Sequence, residues 1–242
     1  MLLFRDRSPL ARAAVTFNFV VGGAGLAILV AATAMGRSEG IPALALPFLG
    51  LFVFARFMRF EIPPNITASL IVPLQMAGIV LLGPVATAWI ALPAFLAEVV
   101  KERAFAGLTG ERRRAMVGIV AFNLGMEALM TLAGGLTWRV FAPTGPADAQ
   151  PWSASAALES APGYLALLLS FAVFKVVNEA LMVAGSWLRG VRMSDYVAGA
   201  RTTVLIEVLT LPVGALMVIV FGLHAWAIVL FMATVLLAAA VV

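Results

Sequence analysis

Long apolar runs broken by short polar or charged segments set the organisation of the chain. The most informative stretch lies between Phe60 and Arg103. Two runs, 66–82 and 85–100, are separated only by Gly83-Pro84. That dipeptide turns a chain, because Gly accepts left-handed angles and Pro opens the next helix without a donor to satisfy. Each run reaches the short end of what crosses a bilayer, roughly 17 residues. The pattern therefore predicts a short transmembrane hairpin over 66–100. Ile62-Pro63-Pro64-Asn65 ends the helix before it, since a residue preceding proline avoids helical angles. Pro73, Pro93 and Gln75 interrupt the hairpin. Broken short segments are tolerated in lipid only where protein or water covers the freed backbone groups, so the hairpin is expected inside a bundle rather than on its rim.

The other runs predict helices at about 13–35, 42–58, 115–138, 163–188 and 202–221, with an eighth starting at Ala225 after the turn Gly222-Leu223-His224. Between them lie a charged segment (101–114), a Pro/Ala/Ser-rich stretch that reads as the longest loop (139–162), and a basic loop (189–201). The predicted fold is all-α: a polytopic transmembrane helical bundle of about eight helices, one integral membrane domain over 1–242. Gly23, Ala27 and Ala31 form a small-residue row in the first helix that would let a neighbour approach closely. Ala32-Thr33-Ala34 resembles a signal-peptidase site, but the run ahead of it is longer than the roughly 7–15 residues of a signal core, so a retained helix is expected.

Composition sharpens this picture. Of 242 residues 63% are hydrophobic and 12% charged, against about 25% charged in soluble domains. No soluble core hides so much apolar sequence. With no Cys, disulfides and thiolate metal sites are excluded; with His224 as the single His, a His-based metal or catalytic centre is not expected. The isoelectric point near 10.3 invites a nucleic-acid reading, but topology accounts for the basic residues. With the N-terminus in the cytoplasm and eight alternating helices, the inner segments hold thirteen of the sixteen Lys and Arg: Arg5, Arg7, Arg12, Arg56, Arg59, Lys101, Arg103, Arg112, Arg113, Arg114, Arg189, Arg192 and Arg201. Only Arg37 and Arg139 fall outside, and Lys175 lies within a helix. The positive-inside rule then places both chain ends in the cytoplasm, in a bacterial inner membrane. The last helix stops at L-L-A-A-A-V-V without a charged anchor, so an effector domain is expected to follow in the cytoplasm.

Ionisable and amide groups inside a membrane are costly, and each is a candidate for function. Asn123 and Glu127 lie four apart on one face of the fifth helix; Lys175, Asn178 and Glu179 share a face of the sixth; Glu207 lies in the seventh. At about 1.5 Å per residue Glu127 and Lys175 come to similar mid-bilayer depth, Asn123 and Glu179 a turn nearer the cytoplasm, and Glu207 lower still. Two readings follow. One is an internal network, with Lys175 neutralised by Glu127, Glu179 or Glu207 and the Asn side chains joining helices. The other is a polar pocket that binds a small ligand or relays a proton, with Gln75 joining it. Glu98 is expected to snorkel to the interface, Asn18 to bond a neighbouring helix, and His224 to sit at the outer interface. Trp89, Trp138, Trp152, Trp187 and Trp226 fall near run ends, as interface anchors do. No nucleotide-binding loop, zinc motif or nucleophile elbow is present, so no catalytic residue, cofactor or metal is expected.

The order of features resembles the multi-helix membrane input region ahead of cytoplasmic HD-GYP phosphodiesterase or GGDEF diguanylate cyclase domains. The resemblance rests on F-x-I-P at Phe60–Pro63, the Ser/Thr-rich start at Thr67–Ser69, L-L-G-P at Leu81–Pro84, Phe122-Asn123, and V-N-x-x-L-M at Val177–Met182. I-P-P-N at Ile62–Asn65 stands where L-P-x-G is often seen. The resemblance implies a sensory or regulatory module in cyclic di-GMP signalling, without catalysis of its own, embedded in lipid, responsive to a small molecule and working as a homodimer. A looser similarity links the hydrophobic bundle and its Gly-Pro turn to the vitamin-binding membrane subunits of energy-coupling transporters, which have six helices. On that alternative the chain would be a substrate-binding transport subunit.

Overall fold

The computed structural model describes residues 9–37, 45–57, 60–62, 66–68, 70–142, 158, 160–224, 227, 228, 230 and 231. Among these, seven α-helices account for nearly all regular structure: α1 (Pro9–Ala32), α2 (Ala45–Phe57), α3 (Ile71–Leu81), α4 (Pro84–Lys101), α5 (Gly110–Phe141), α6 (Ala161–Leu188) and α7 (Met193–Leu223). A π-helical turn, Thr33–Arg37, extends α1. A small antiparallel ribbon, β1 (Phe60–Ile62) with β2 (Ile66–Ala68), pairs Phe60 with Ala68 and Ile62 with Ile66.

Among the described residues, five helices are long and apolar enough to cross a membrane: Arg12–Met35, Pro84–Lys101, Gly110–Phe141, Ala161–Leu188 and Ala200–Gly222. The outside of the bundle is rich in apolar side chains such as Val30, Leu46, Leu165, Val176 and Leu209, while Glu98, Glu127 and Lys175 are buried. Charges inside and hydrocarbon outside is the polarity of a bundle made for lipid. The chain is a membrane protein by these criteria.

The hairpin departs from its predicted form. The run 66–82 is not one helix: residues 66–68 are extended, and α3 is only 11 residues, about 16 Å, too short to span a bilayer. Pro73 decides this. It sits third in α3, within the first turn, where a missing N–H leaves no helical bond unmade. What reads in sequence as an interruption is the helix start. All of α3 except Ile71 is buried, so this short element is enclosed by the bundle. Gly83, at φ 82°, makes the turn into α4, and Pro84 opens that helix.

Contacts between glycines fix the directions of the helices. A Cβ on Gly22 would meet the Ala121 carbonyl at 2.7 Å, and one on Gly25 would meet the Gly125 backbone at 2.3 Å. Hence α1 runs parallel to α5 in backbone-to-backbone contact. The face used is Gly22/Gly25; the predicted row of Gly23, Ala27 and Ala31 points outward and is exposed. Pro84 packs on Gly135, where a Cβ would come within 2.1 Å of it, so α4 is antiparallel to α5. Gly134 lies against Ser170 and Phe174, and Ser170 Oγ donates to the Gly134 carbonyl (2.7 Å), making α6 antiparallel to α5 as well. Lys101 Nζ donates to the Phe57 carbonyl (3.3 Å), so α2 and α4 finish together.

One end of the bundle therefore gathers the start of α1, α5 and α7 with the finish of α2, α4 and α6. It carries exposed Arg12, Lys101, Arg103, Arg112, Arg113, Arg114, Arg189 and Arg192. The predicted basic loop 189–201 contracts to a turn, because α7 begins at Met193. Arg201 consequently lies inside that helix. α5 likewise begins at Gly110, ahead of the predicted 115, and takes up Arg112–Arg114 of the charged segment. The long loop 139–162 falls almost wholly outside the described residues, as do Trp152, Trp226 and most of the predicted eighth helix; residues 227, 228, 230 and 231 are helical. Of the other tryptophans Trp187 is exposed at the end of α6, Trp89 donates to Thr33 Oγ1 at 2.9 Å, and Trp138, three residues from the end of α5, is buried.

The parallel α1–α5 contact predicts a sharp contrast between neighbouring glycines. Gly125→Ala should destabilise the detergent-solubilised protein by roughly 1–3 kcal/mol, because both sides of the clash are backbone. Gly23→Ala, which meets nothing, should be neutral or stabilising by up to about 1 kcal/mol. Thermal melts of the two variants measure the difference.

Candidate functional site

Among the described residues, the ionisable groups inside the bundle gather into two networks. The first is built around Arg56, near the end of α2. Its Nη1 lies 3.1 Å from Glu98 Oε2 on α4, and its Nη2 contacts Glu127 Oε1 on α5. Gln75 Nε2, from the middle of α3, donates to Glu127 Oε2 at 2.5 Å. The guanidinium also lies over the Phe95 ring, 5.2 Å from its centre. Four helices thus meet at one cation. Gln75, Glu98 and Glu127 are 1%, 5% and 6% exposed, so the network is sealed. Arg56 Nε and, one turn beyond Glu127, Thr131 Oγ1 are buried without a partner among the described residues.

The second network ties α6 to α7. Lys175 Nζ lies 2.9 Å from Glu179 Oε1, one turn along α6, and 2.5 Å from Glu207 Oε2 on α7. Asn178 Nδ2 donates to Glu179 Oε1 (3.1 Å), and the Tyr196 hydroxyl donates to Glu179 Oε2 (2.5 Å). Burial, together with the adjacent Glu179 carboxylate, pushes the Tyr196 hydroxyl well above its usual value, keeping it a donor. This network is open: Lys175 is buried, but the side chains of Glu207 and Glu179 are 17% and 29% exposed. One lysine faces two acids, a formal excess of one carboxyl group among the described residues.

The predicted site residues are therefore divided. Lys175, Asn178, Glu179 and Glu207 come together as expected. Glu127 and Gln75 join each other, but with Arg56 and not with Lys175. Asn123 joins neither; its Nδ2 donates to the Ile119 carbonyl one turn back, at 2.8 Å. Glu207 is level with Lys175 and not below it, because α7 starts nine residues earlier than the apolar run suggests. Glu98 does not snorkel: it is buried on Arg56. Asn18 is buried against Gly118 of α5, and His224 is exposed at the end of α7.

Sequence reasoning missed Arg56, Glu98 and Tyr196. Arg56 and Arg59 close an apolar run, which is also how an interfacial anchor reads. A signal was present in Glu98: an acid near the end of its run needs a cation, and Arg56 lies near the end of the run 42–58. Tyr196 lay in what read as loop.

The two networks differ in what they can do. The first is closed and structural; a ligand would have to displace a helix to reach it. The second is laterally open, carries unbalanced charge, and joins two helices, so binding or proton exchange there can change how they sit together. Comparison with protein-family models, curated proteins and solved structures finds no match.

Removing the cation from the closed network would leave the buried Glu127 carboxylate without its counter-charge. Arg56→Ala should cost about 3–5 kcal/mol. Adding Glu127→Gln to that variant should recover part of the loss, since it removes one stranded charge. Reversible unfolding in mixed micelles measures both.

Proposed function

We propose that this chain is a membrane-embedded sensory or regulatory module of a bacterial signalling protein, with the Lys175–Glu179–Glu207 network as its responsive element. The observation that carries the reading is the attachment of α7. Its second half enters the core through Leu211, Ala215, Met217, Val218 and Phe221, with Gly214 against the Pro73 backbone of α3. Its first half, Met193–Thr210, has no buried residue among those described. It is held to α6 by Lys175–Glu207 and Glu179–Tyr196 instead of by packing. A helix fastened by a few charge-assisted bonds has two accessible arrangements, bound and released, and anything that binds or neutralises those charges shifts the balance between them.

On this reading a small ligand or a membrane state acts on the open network, and α7 carries the change to the helix after His224 and then to a cytoplasmic effector of the cyclic di-GMP type. Eight helices with both ends in the cytoplasm of a bacterial inner membrane complete the arrangement; the gathering of basic side chains at one end of the bundle supports that orientation.

Two measurements test it. In a protein with spin labels at Val176→Cys and Val197→Cys, Lys175→Met or Glu207→Gln should change the ratio of two α6–α7 separations about tenfold, equivalent to about 1.4 kcal/mol. One unaltered separation in both variants would remove the responsive element. For the orientation, a thiol at Arg113→Cys should react with an impermeant reagent in inverted membrane vesicles and stay protected in intact cells.

A further inference from the structure

We infer that a second copy of this chain docks on the outer face of α6 and α7, with Arg201 of each copy paired to Glu179 of the other. Arg201 lies within α7, eight residues after its start at Met193. It is exposed, and among the described residues it makes no ion pair or hydrogen bond. Val197, Leu205 and Val208, at spacings of three and four along the same stripe, are 55%, 57% and 46% exposed. A guanidinium in the middle of a lipid-facing apolar stripe is costly, and such groups are normally met by a counter-charge.

The counter-charge is available on the neighbouring helix of another copy. Glu179 has the most exposed of the open network's charged side chains, and that network carries one acid more than its lysine matches. Depth also matches. Glu179 lies nine residues before the end of α6 at Leu188, about 14 Å, and Arg201 eight residues after the start of α7 at Met193, about 12 Å. A two-fold axis along the membrane normal preserves depth, so it brings each Arg201 level with the other Glu179. Within one chain α7 turns its Arg201 stripe away from Tyr196 and α6, so the pair cannot close internally. Counting Lys175, Glu179, Glu207 and Arg201, each half of the dimer is neutral. The interface is self-complementary, and Val176 of α6, 67% exposed, extends its apolar part.

The absence of cysteine makes the test direct. In native membranes Leu205→Cys should crosslink to a dimer with a short bis-thiol reagent, while Val20→Cys on the exposed face of α1 should not. In the Leu205→Cys background Arg201→Glu should lower the crosslinked dimer at least about tenfold, since it sets like charges together. Glu179→Arg should do the same, and Arg201→Glu with Glu179→Arg should restore the dimer. Arg201→Gln and Glu179→Gln, which add no charge, should each lower it less; they keep the test valid if a charge reversal fails to fold. The inference is overturned if Leu205→Cys crosslinks no better than Val20→Cys. It is also overturned if Arg201→Glu and Arg201→Gln leave the dimer intact, or if folded single variants are not rescued by the exchange. Arg201 serving a lipid headgroup instead would appear as loss of bound phosphatidylglycerol, relative to phosphatidylcholine, in Arg201→Gln without a change in dimer.

Discussion

A buried guanidinium is tolerable only when its charge and its hydrogen-bonding positions are met at once, and Arg56 makes that demand of four helices. It takes Glu98 from α4 and Glu127 from α5, and through Glu127 it engages Gln75 of α3. None of these groups is stable in hydrocarbon alone. The helices that carry them are therefore committed to one arrangement, and one of them, α3, is too short to be held by spanning the bilayer itself. The short buried helix and the tight Gly83-Pro84 turn exist as ordered elements because the surrounding bundle closes over them.

Packing supplies the remainder by a route suited to lipid. Helices there gain little from leaving the solvent, so close contact and dispersion must hold them. Gly22 and Gly25 against Ala121 and Gly125, and Pro84 against Gly135, bring backbones together with no side chain between them. These contacts run the length of α5, which becomes the central post of the bundle, with α1, α4 and α6 all set against it. α7 is different. Its second half is keyed into α3 at Gly214 and Pro73, whereas its first half depends on charge pairs with α6. Helices α1 to α6 are therefore joined by close backbone contacts and the closed network, whereas α7 is keyed into the core at one end and held by polar bonds at the other.

That asymmetry links the two polar networks to distinct roles. The sealed one fixes the helices it joins and gains nothing from contact with the outside. The open one stands where a helix can move, retains an excess carboxylate, and lies beside an exposed arginine of its own chain that cannot reach it. The proposed regulatory role and the proposed self-associating face both draw on the same feature: charge at a surface that is otherwise apolar.

Sequence alone determined the character of the protein. Apolar runs of spanning length, basic residues in alternate connections, and a few ionisable groups within the runs follow from local composition and period, so the helical membrane bundle and the membership of Lys175, Asn178, Glu179 and Glu207 in one network were legible without coordinates. Helix ends were less so. An apolar run marks what lies in hydrocarbon, not where a helix begins, so α5 and α7 extend beyond their runs, and α3 starts late because Pro73 can occupy a first turn. Only the tertiary structure decided which charge meets which. Arg56 and Lys175 were both available to Glu127, and the choice was made by the lateral arrangement of helices around α5. That arrangement is set by glycine contacts between segments about a hundred residues apart, such as Gly25 with Gly125, and periodicity along a single helix carries no information about which neighbour it will face.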